Sequence, residues 1–352
     1  FDDRKKKKRG KTIENISHVW DHVTHSSVLG FKLLVMGYWD GTSFIPLDFS
    51  LHREKGKNKN KPYGLKKKAL KKQYRKKRDS GSHGKARSCE THESKIQSAL
   101  KMFRRAISHG LKIDYLLMDS WFTCEAFIEA VHKVKNQQVH LIGMYKIAKA
   151  KFMYQGKAYT YSQLNNTLGR PKRCRRLGLY YKQAQVTYKG YALTLFFSRQ
   201  GTKGKWRVFL TTDTNLSFMQ MIEIYQKRWT IEVFFKEAKQ LLELGQCQSN
   251  DFDGQIADTT ISMIRYLLLT LKYRFDTYET KGELFTHVEQ QALQYRLDER
   301  LWGLFQELMN VLSTIFDGVD EQEIMERFLH NKKVNEILNR VFDTGPELTV
   351  AA

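Results

Sequence analysis

Tyr225, Arg228, Glu232 and Lys239 stand at offsets 0, 3, 7 and 14 in the stretch IYQKRWTIEVFFKEAK, from Ile224 to Lys239. An α-helix turns ~100° per residue, so these side chains fall within an arc of roughly 60° on one face. One carboxylate beside a guanidinium, an ammonium and a phenol suits a metal ion next to a phosphate. Arg228 can grip phosphate with two parallel hydrogen bonds, and Lys239 offers a point charge further along the helix. Tyr225 adds a phenolic hydrogen bond. Two other acidic positions could complete a set of three: the pair Asp2-Asp3, and Asp119 at the end of the apolar run Ile113–Met118. Phosphodiester cleavage needs an activated attacking oxygen, a stabilised leaving oxygen and charge compensation at phosphorus, which two Mg²⁺ ions ~3.5–4 Å apart supply. Mg²⁺ takes only one or two carboxylates besides phosphate and water, so three acids suffice.

Each feature also has a plainer reading. Arg228 and Glu232 can be an ordinary i,i+4 pair on a solvated helix face, Asp119 a strand-end cap, and Asp2-Asp3 a loop. Four specified residues at four fixed offsets arise by chance in roughly one chain of this length in several hundred, at frequencies of about 5% each.

Elements must position these groups. Phe31–Trp39 and Phe44–Leu51 read as strands joined by a turn at Asp40-Gly41, and one of Asp2 and Asp3 bounds a strand pairing with the first. His92–His109 carries Ile96, Leu100, Phe103 and Ile107 at helical spacing, with Gly110 as a stop. Ile113–Met118 is a short strand, Cys124–Lys135 a helix and Val139–Ile147 another strand. This alternation predicts a sheet with helical crossovers, and Asp119 at a strand's C-terminal end is where ligands gather in such sheets. Residues 150–214 read as strands and hairpins, a β-rich insertion before a motif helix from about Ser217 to Leu244. Ile256–Phe275, Glu283–Leu297, Leu301–Phe316 and Gln322–Phe342 read as helices. The expected organisation is a core in residues 1–149, the insertion at 150–214, the final core helix at 215–250 and a helical region at 251–352.

The net charge of +23 over 352 residues favours a polyanionic partner, and nucleic acid over a membrane. Between Arg53 and Ser88 there are 16 Lys and Arg against Glu54 and Asp79, a net of 16 − 2 = +14. This tract, within the basic segment at about 53–91, reads as a mobile loop. Cys89, Cys124, Cys174 and Cys247 form no C-x-x-C pair, which argues against a zinc site or disulfide framework and for a reducing compartment. Arg265 and Lys272 interrupt the most apolar segment, Ile261–Tyr273, so no membrane span is expected. The first residue is Phe1, not methionine, which predicts residues upstream and an N-terminal domain absent from this sequence.

Together the motifs resemble the DDE transposases of the IS4 type. That group carries Y-x2-R-x3-E-x6-K, matched at every position by Tyr225, Arg228, Glu232 and Lys239. Its second acid ends a strand before a small residue and an aromatic, similar to Asp119-Ser120-Trp121-Phe122. Its first acid lies on the opening strand, where Asp3 matches best and Asp2 is the alternative. Arg4 departs from the hydroxyl residue usual after it. The resemblance implies an RNase H-like mixed sheet with helices on both faces, and Asp3, Asp119 and Glu232 as catalytic ligands of two Mg²⁺, with Mn²⁺ as a substitute. It further implies cleavage of transposon ends and 3′-OH strand transfer into target double-stranded DNA by a homodimer associated with the bacterial nucleoid. Tyr225, Arg228 and Lys239 would hold the DNA. Trp206 is similar in placement to a tryptophan that stacks on a flipped base, and reads equally as core of the insertion. The rival expectations are an RNase H-like nuclease without strand transfer and a non-catalytic DNA-binding remnant.

Overall fold

The computed structural model describes residues 1–22, 24–146 and 150–292, with isolated positions beyond. The chain divides into two compact units, Phe1–Phe275 and Asp276–Ala352. In the second, residues 281–292 are helical. The expected helices Leu301–Phe316 and Gln322–Phe342, and the end of Glu283–Leu297, lie almost wholly outside the described residues.

The first unit runs β1 (Asp2–Lys7), β2 (Ser17–Asp21), β3 (Ser26–Trp39), β4 (Phe44–His52), α1 (Lys67–Lys71), α2 (His83–Glu90), α3 (Lys95–Ser108), β5 (Tyr115–Met118), α4 (Glu125–His132) and β6 (His140–Tyr145). It continues with β7 (Lys151–Tyr154), β8 (Lys157–Thr160), α5 (Tyr161–Thr167), β9 (Lys172–Cys174), β10 (Leu179–Tyr188), β11 (Tyr191–Gln200) and β12 (Arg207–Thr211). Last come α6 (Phe218–Gln226), α7 (Thr230–Leu241) and α8 (Phe252–Phe275).

The long strand β3 organises the first sheet. Lys32 faces Lys5 of β1 across one edge and His52 of β4 across the other, all antiparallel, and β2 pairs with the early part of β3. The second sheet has the order β5-β6-β12-β11-β10-β7-β8, with β9 on β10. Its β5–β6 pair is parallel and its other pairs are antiparallel. The Phe1 backbone nitrogen donates to the Leu117 carbonyl at 3.3 Å, bringing the start of β1 against the end of β5. The two acidic segments thereby meet.

Alternation along the strands gives each sheet two buried faces. Leu34 and Met36 of β3, with Leu116 and Met118 of β5, pack with Ala99, Met102 and Phe103 of α3 and Phe127, Ile128 and Val131 of α4. Opposite, Ile142, Phe196 and Phe209 cover Phe218, Met221 and Ile222 of α6. Phe44 meets Phe234 of α7 at 5.6 Å between ring centres, and Phe234 meets Tyr266 of α8 edge-on at 4.8 Å. The result is a mixed sheet system with helices on both faces. Three helix starts carry full capping boxes, Ser94 with Gln97, Thr160 with Gln163 and Ser217 with Gln220. Losing such a cap costs typically about 1 kcal/mol.

The structure differs from the expectations in four places. The motif helix is not one regular element: α6 ends at Gln226, a 3₁₀ turn spans Lys227–Trp229, and α7 starts at Thr230. That tighter turn changes the angle between Tyr225 and Glu232 from the ideal-helix value. The strands of the expected insertion extend the β5–β6 sheet, because β12 pairs with β6 from Thr211↔Ile142 to Val208↔Tyr145. Strand β2 and helix α5 were not anticipated; both are short, and the five residues of β2 mix charged with apolar side chains. The basic tract is docked rather than unstructured, with α1 and α2 inside it and Leu65 only 3% exposed.

Candidate active site

Strand alternation sends Asp2, Arg4 and Lys6 to one face of β1 and Asp3, Lys5 and Lys7 to the other. The two faces meet different surroundings. Lys6 is buried and donates to the Gln255 carbonyl (3.2 Å), Asp258 (2.9 Å) and Thr259 Oγ1 (2.8 Å), fastening its face to α8. Arg4 Nη2 donates to Glu232 Oε2 at 2.7 Å, so the same face meets α7. Asp3 accepts instead from Lys95 Nζ at the start of α3 (2.9 Å), with Lys32 Nζ at 3.9 Å.

Asp2 is 8% exposed. Burial first, then the nearby negative charge of Asp119, push its carboxyl up to about 6; Arg228 and Arg4 pull the other way. Of the two neighbouring acids, Asp2 shares an electrostatic site with Asp119 and Arg228, while Asp3 is neutralised by lysines on the opposite face.

Asp119 follows the last residue of β5. Its Oδ1 accepts from the backbone N–H of Trp121 (2.9 Å) and Phe122 (3.2 Å), and its carbonyl accepts from Thr123 N–H (3.1 Å) and Oγ1–H (2.7 Å). It is therefore a turn cap, but these bonds use Oδ1 alone and leave the second oxygen for a ligand. Phe122 is fully buried and pins the turn. Beneath it, a Cβ on Gly143 of β6 would lie 2.1 Å from Thr123 Oγ1. Gly143→Val is expected to displace this turn, costing about 1–3 kcal/mol by overpacking and most of the catalytic activity. Thermal unfolding and a cleavage assay check this together.

Tyr225 packs edge-on against Phe209 at 5.1 Å and donates its hydroxyl to the Met118 carbonyl at 3.1 Å. It thus ties α6 to the strand end that carries Asp119. Burial raises its phenol's pKa; Arg228 opposes the shift and Asp119 adds to it. Arg228 Nη2 donates to Glu232 Oε1 at 3.0 Å, so Glu232 is held between two guanidiniums, Arg228 and Arg4. Burial disfavours the charged Arg228, but Tyr225, Glu232 and Asp2 outweigh it and its pKa is raised. Lys239 is exposed, and desolvation of its ammonium together with Arg4, Lys5 and Lys7 lowers its pKa.

The helix motif and the two acidic segments thus converge: Asp2, Tyr225 and Glu232 all act on Arg228, and Asp119 acts on Asp2 and Tyr225. A family model for the transposase DDE domain matches residues 82–268. The chain belongs to this family. The matched span covers this transposase domain from α2 into α8, including Asp119 and the whole motif from Tyr225 to Lys239; β1 lies before it. Among curated proteins nothing matches. Transposase DDE domains act on DNA with divalent metal ions. In this transposase domain no three His, Cys, Asp or Glu side chains among the described residues are grouped closely enough to hold one ion. The charge pattern still fits a hard cation: Asp2 and Asp119 are two oxygen donors that repel each other and are offset only in part by Arg228 and Arg4, and Mg²⁺ takes one or two carboxylates with phosphate and water completing its shell. No described helix is long and apolar enough to cross a membrane.

Trp206 lies away from this cluster in contacts. Arg199 stands 4.4 Å and Lys182 5.5 Å from its ring centre, and the ring packs at the edge of the main core. Residues to which the sequence assigned no role are Arg4, the second partner of Glu232, and Trp121, 51% exposed two positions after Asp119 with Lys95 at 4.9 Å and Lys146 at 5.7 Å from its ring. Alternation along β1 pairs Asp2 with Arg4, but both faces of that strand are charged, so hydrophobic pattern could not say which one meets α7.

Proposed function

We propose that this chain is the catalytic domain of an IS4-type DDE transposase with an RNase H-like core, and that Asp2, Asp119 and Glu232 are its three acids. The observation that carries the reading is Asp2 within electrostatic reach of both Asp119 and Arg228, with Glu232 bound to that same guanidinium. The antiparallel pairing of β3 with β4 and β1, with Phe1 bonded to the Leu117 carbonyl so that the acids stand at the adjoining ends of β1 and β5, supports the RNase H-like assignment.

Asp2 and Asp119 would hold divalent cations between the strand ends, with Glu232 completing the set. Two Mg²⁺ ions, or Mn²⁺, when bound supply activation of the attacking oxygen and neutralisation of the leaving one. Arg228 grips the scissile phosphate through two donors, and in turning to it gives up Glu232 to the cation side. Arg4 keeps Glu232 from swinging away from β1. Tyr225 holds the α6–β5 junction so that Arg228 and Asp119 stay in register. Lys239 and its cationic neighbours along β1 receive the next phosphates. A homodimer on paired transposon ends then joins each 3′-OH to target DNA.

The test is incubation of the protein with its terminal repeats and a target duplex. Mg²⁺- or Mn²⁺-dependent cleavage at the repeat ends followed by covalent joining is expected. Cleavage without joining would make it a nuclease, and binding without cleavage a decayed remnant. Metal affinity carries a pH signature. Without metal the Asp2 carboxyl is raised to about 6, so below that value binding must first release its proton. Calorimetric Mn²⁺ affinity should be flat above pH 7 and weaken steeply below 6.

A further inference from the structure

The basic tract is held down by a clamp. Arg78, whose side chain is 5% exposed, donates to both oxygens of Glu14 at 2.8 Å each, to Asp253 Oδ1 at 2.9 Å and to Asp251 Oδ1 at 3.2 Å. Lys76 adds ion pairs to Asp251 (3.1 Å) and Asp253 (2.9 Å). The Tyr74 backbone N–H donates to the Thr12 carbonyl at 2.7 Å and Gln73 Nε2 to the Ile16 carbonyl at 2.9 Å. Three acids at the start of α8 and in the loop after β1 are thereby neutralised from below. Lys66, Lys67, Lys68, Lys71, Lys72, Arg75 and Lys77 remain exposed above them.

The clamp also fixes where the tract lies. β1 leads from Asp2 at the site to Lys7, with Arg4, Lys5 and Lys7 all acting on Lys239 of α7. Lys7, Arg9 and Lys11 are exposed, and Thr12 and Glu14 then meet the tract. Lys8 holds this direction by donating to the Gly245 (2.8 Å) and Cys247 (2.7 Å) carbonyls beyond α7. Positive charge therefore runs from β1 through Lys7, Arg9 and Lys11 to the tract docked on the loop that follows. The five residue steps from Asp2 to Lys7 span ~17 Å, about five phosphates of one strand at 3.4 Å each.

We infer that the docked segment from Lys66 to Lys77 is a second duplex-binding surface, engaging the backbone of the double helix about half a turn and more from the scissile phosphate. This rests on the proposal that the substrate is duplex DNA. The Arg78 clamp makes the surface rigid, so its cations meet phosphates without first having to be ordered.

The test uses the full chain, metal-free, so that binding is read apart from chemistry. Lys67, Lys68, Lys71 and Lys72 are changed together to Gln. Affinity for a 30-base-pair duplex with the cleavage site at its centre should fall at least tenfold at 0.15 M salt, and the salt slope should drop by about 3. A duplex reaching only three base pairs either side of the cleavage site should bind the variant and the unchanged protein alike. Arg78→Met keeps every exposed lysine; it should still weaken the long duplex severalfold and open the 66–78 segment to trypsin. An unchanged slope in the quadruple variant would overturn the inference, as would unaltered affinity and trypsin resistance in Arg78→Met or an equal loss on single strands. If the surface behaves as stated but no metal-dependent cleavage is ever seen, the proposed catalysis fails and the binding surface stands.

Discussion

Asp2→Asn should abolish metal-dependent cleavage, while Asp3→Asn should keep most of it. Asp2 is buried, interacts with Asp119 and Arg228, and shares its face of β1 with the Arg4 that holds Glu232. Asp3 lies on the other face, neutralised by Lys95 and Lys32. Loss of a group that stabilises charge in the transition state costs on the order of 10²–10³ in rate, and a ligand of the cation should cost at least that. A second readout separates the electrostatic role from a packing one. The Asp2 carboxyl is raised from 3.8 to about 6 in the folded protein. A raised folded pKa gives a stabilising contribution that is present below the unfolded value and lost as pH climbs through the folded one. Ionised Asp2 therefore strains the metal-free protein at neutral pH. Asp2→Asn should raise the unfolding temperature at pH 7.5, by about 1–3 kcal/mol of stability, with little gain at pH 4. If Asp3→Asn were the dead variant and Asp2→Asn cleaved normally, the assignment on β1 would be reversed.

Glu232→Gln should likewise eliminate cleavage but leave duplex binding intact or slightly tighter. Glu232 neutralises Arg4 and Arg228 at 2.7 and 3.0 Å. Glutamine keeps the shape and can accept one of these hydrogen bonds, so folding should change little. It removes one negative charge beside the proposed phosphate site and frees part of two guanidiniums for DNA, which sets the direction of the binding effect. A rate loss of at least 10²–10³ with metal is expected from the missing charge. Full cleavage by Glu232→Gln would remove the motif helix from the mechanism; lost binding with lost cleavage would make Glu232 a folding residue.

Much of the frame was readable from residue pattern. Phe31–Trp39 and Phe44–Leu51 are close to the observed β3 and β4, and Ile113–Met118 and Val139–Ile147 enclose β5 and β6, because runs of β-branched and aromatic residues bounded by turn residues leave few alternatives. Helices with strong apolar spacing, such as α3, were also visible. Short or charged elements were not. The strand β1 carries DDRKKK, which no hydrophobic template identifies, and the basic tract looks like a solvated loop until Arg78 meets Glu14, Asp251 and Asp253, which lie 64 or more positions away in the chain.

The sequence alone determined which chemical groups are present, their spacing on the motif helix, and the excess of positive charge, since these are local or additive properties. Only the tertiary structure decided which of two adjacent aspartates interacts with Asp119, that Glu232 sits between two arginines from different elements, and that the lysine-rich segment docks on the loop that follows β1. Each of these depends on which face of an element meets which neighbour. In a strand charged on both sides, a one-residue change of face reverses the outcome without altering composition or local propensity.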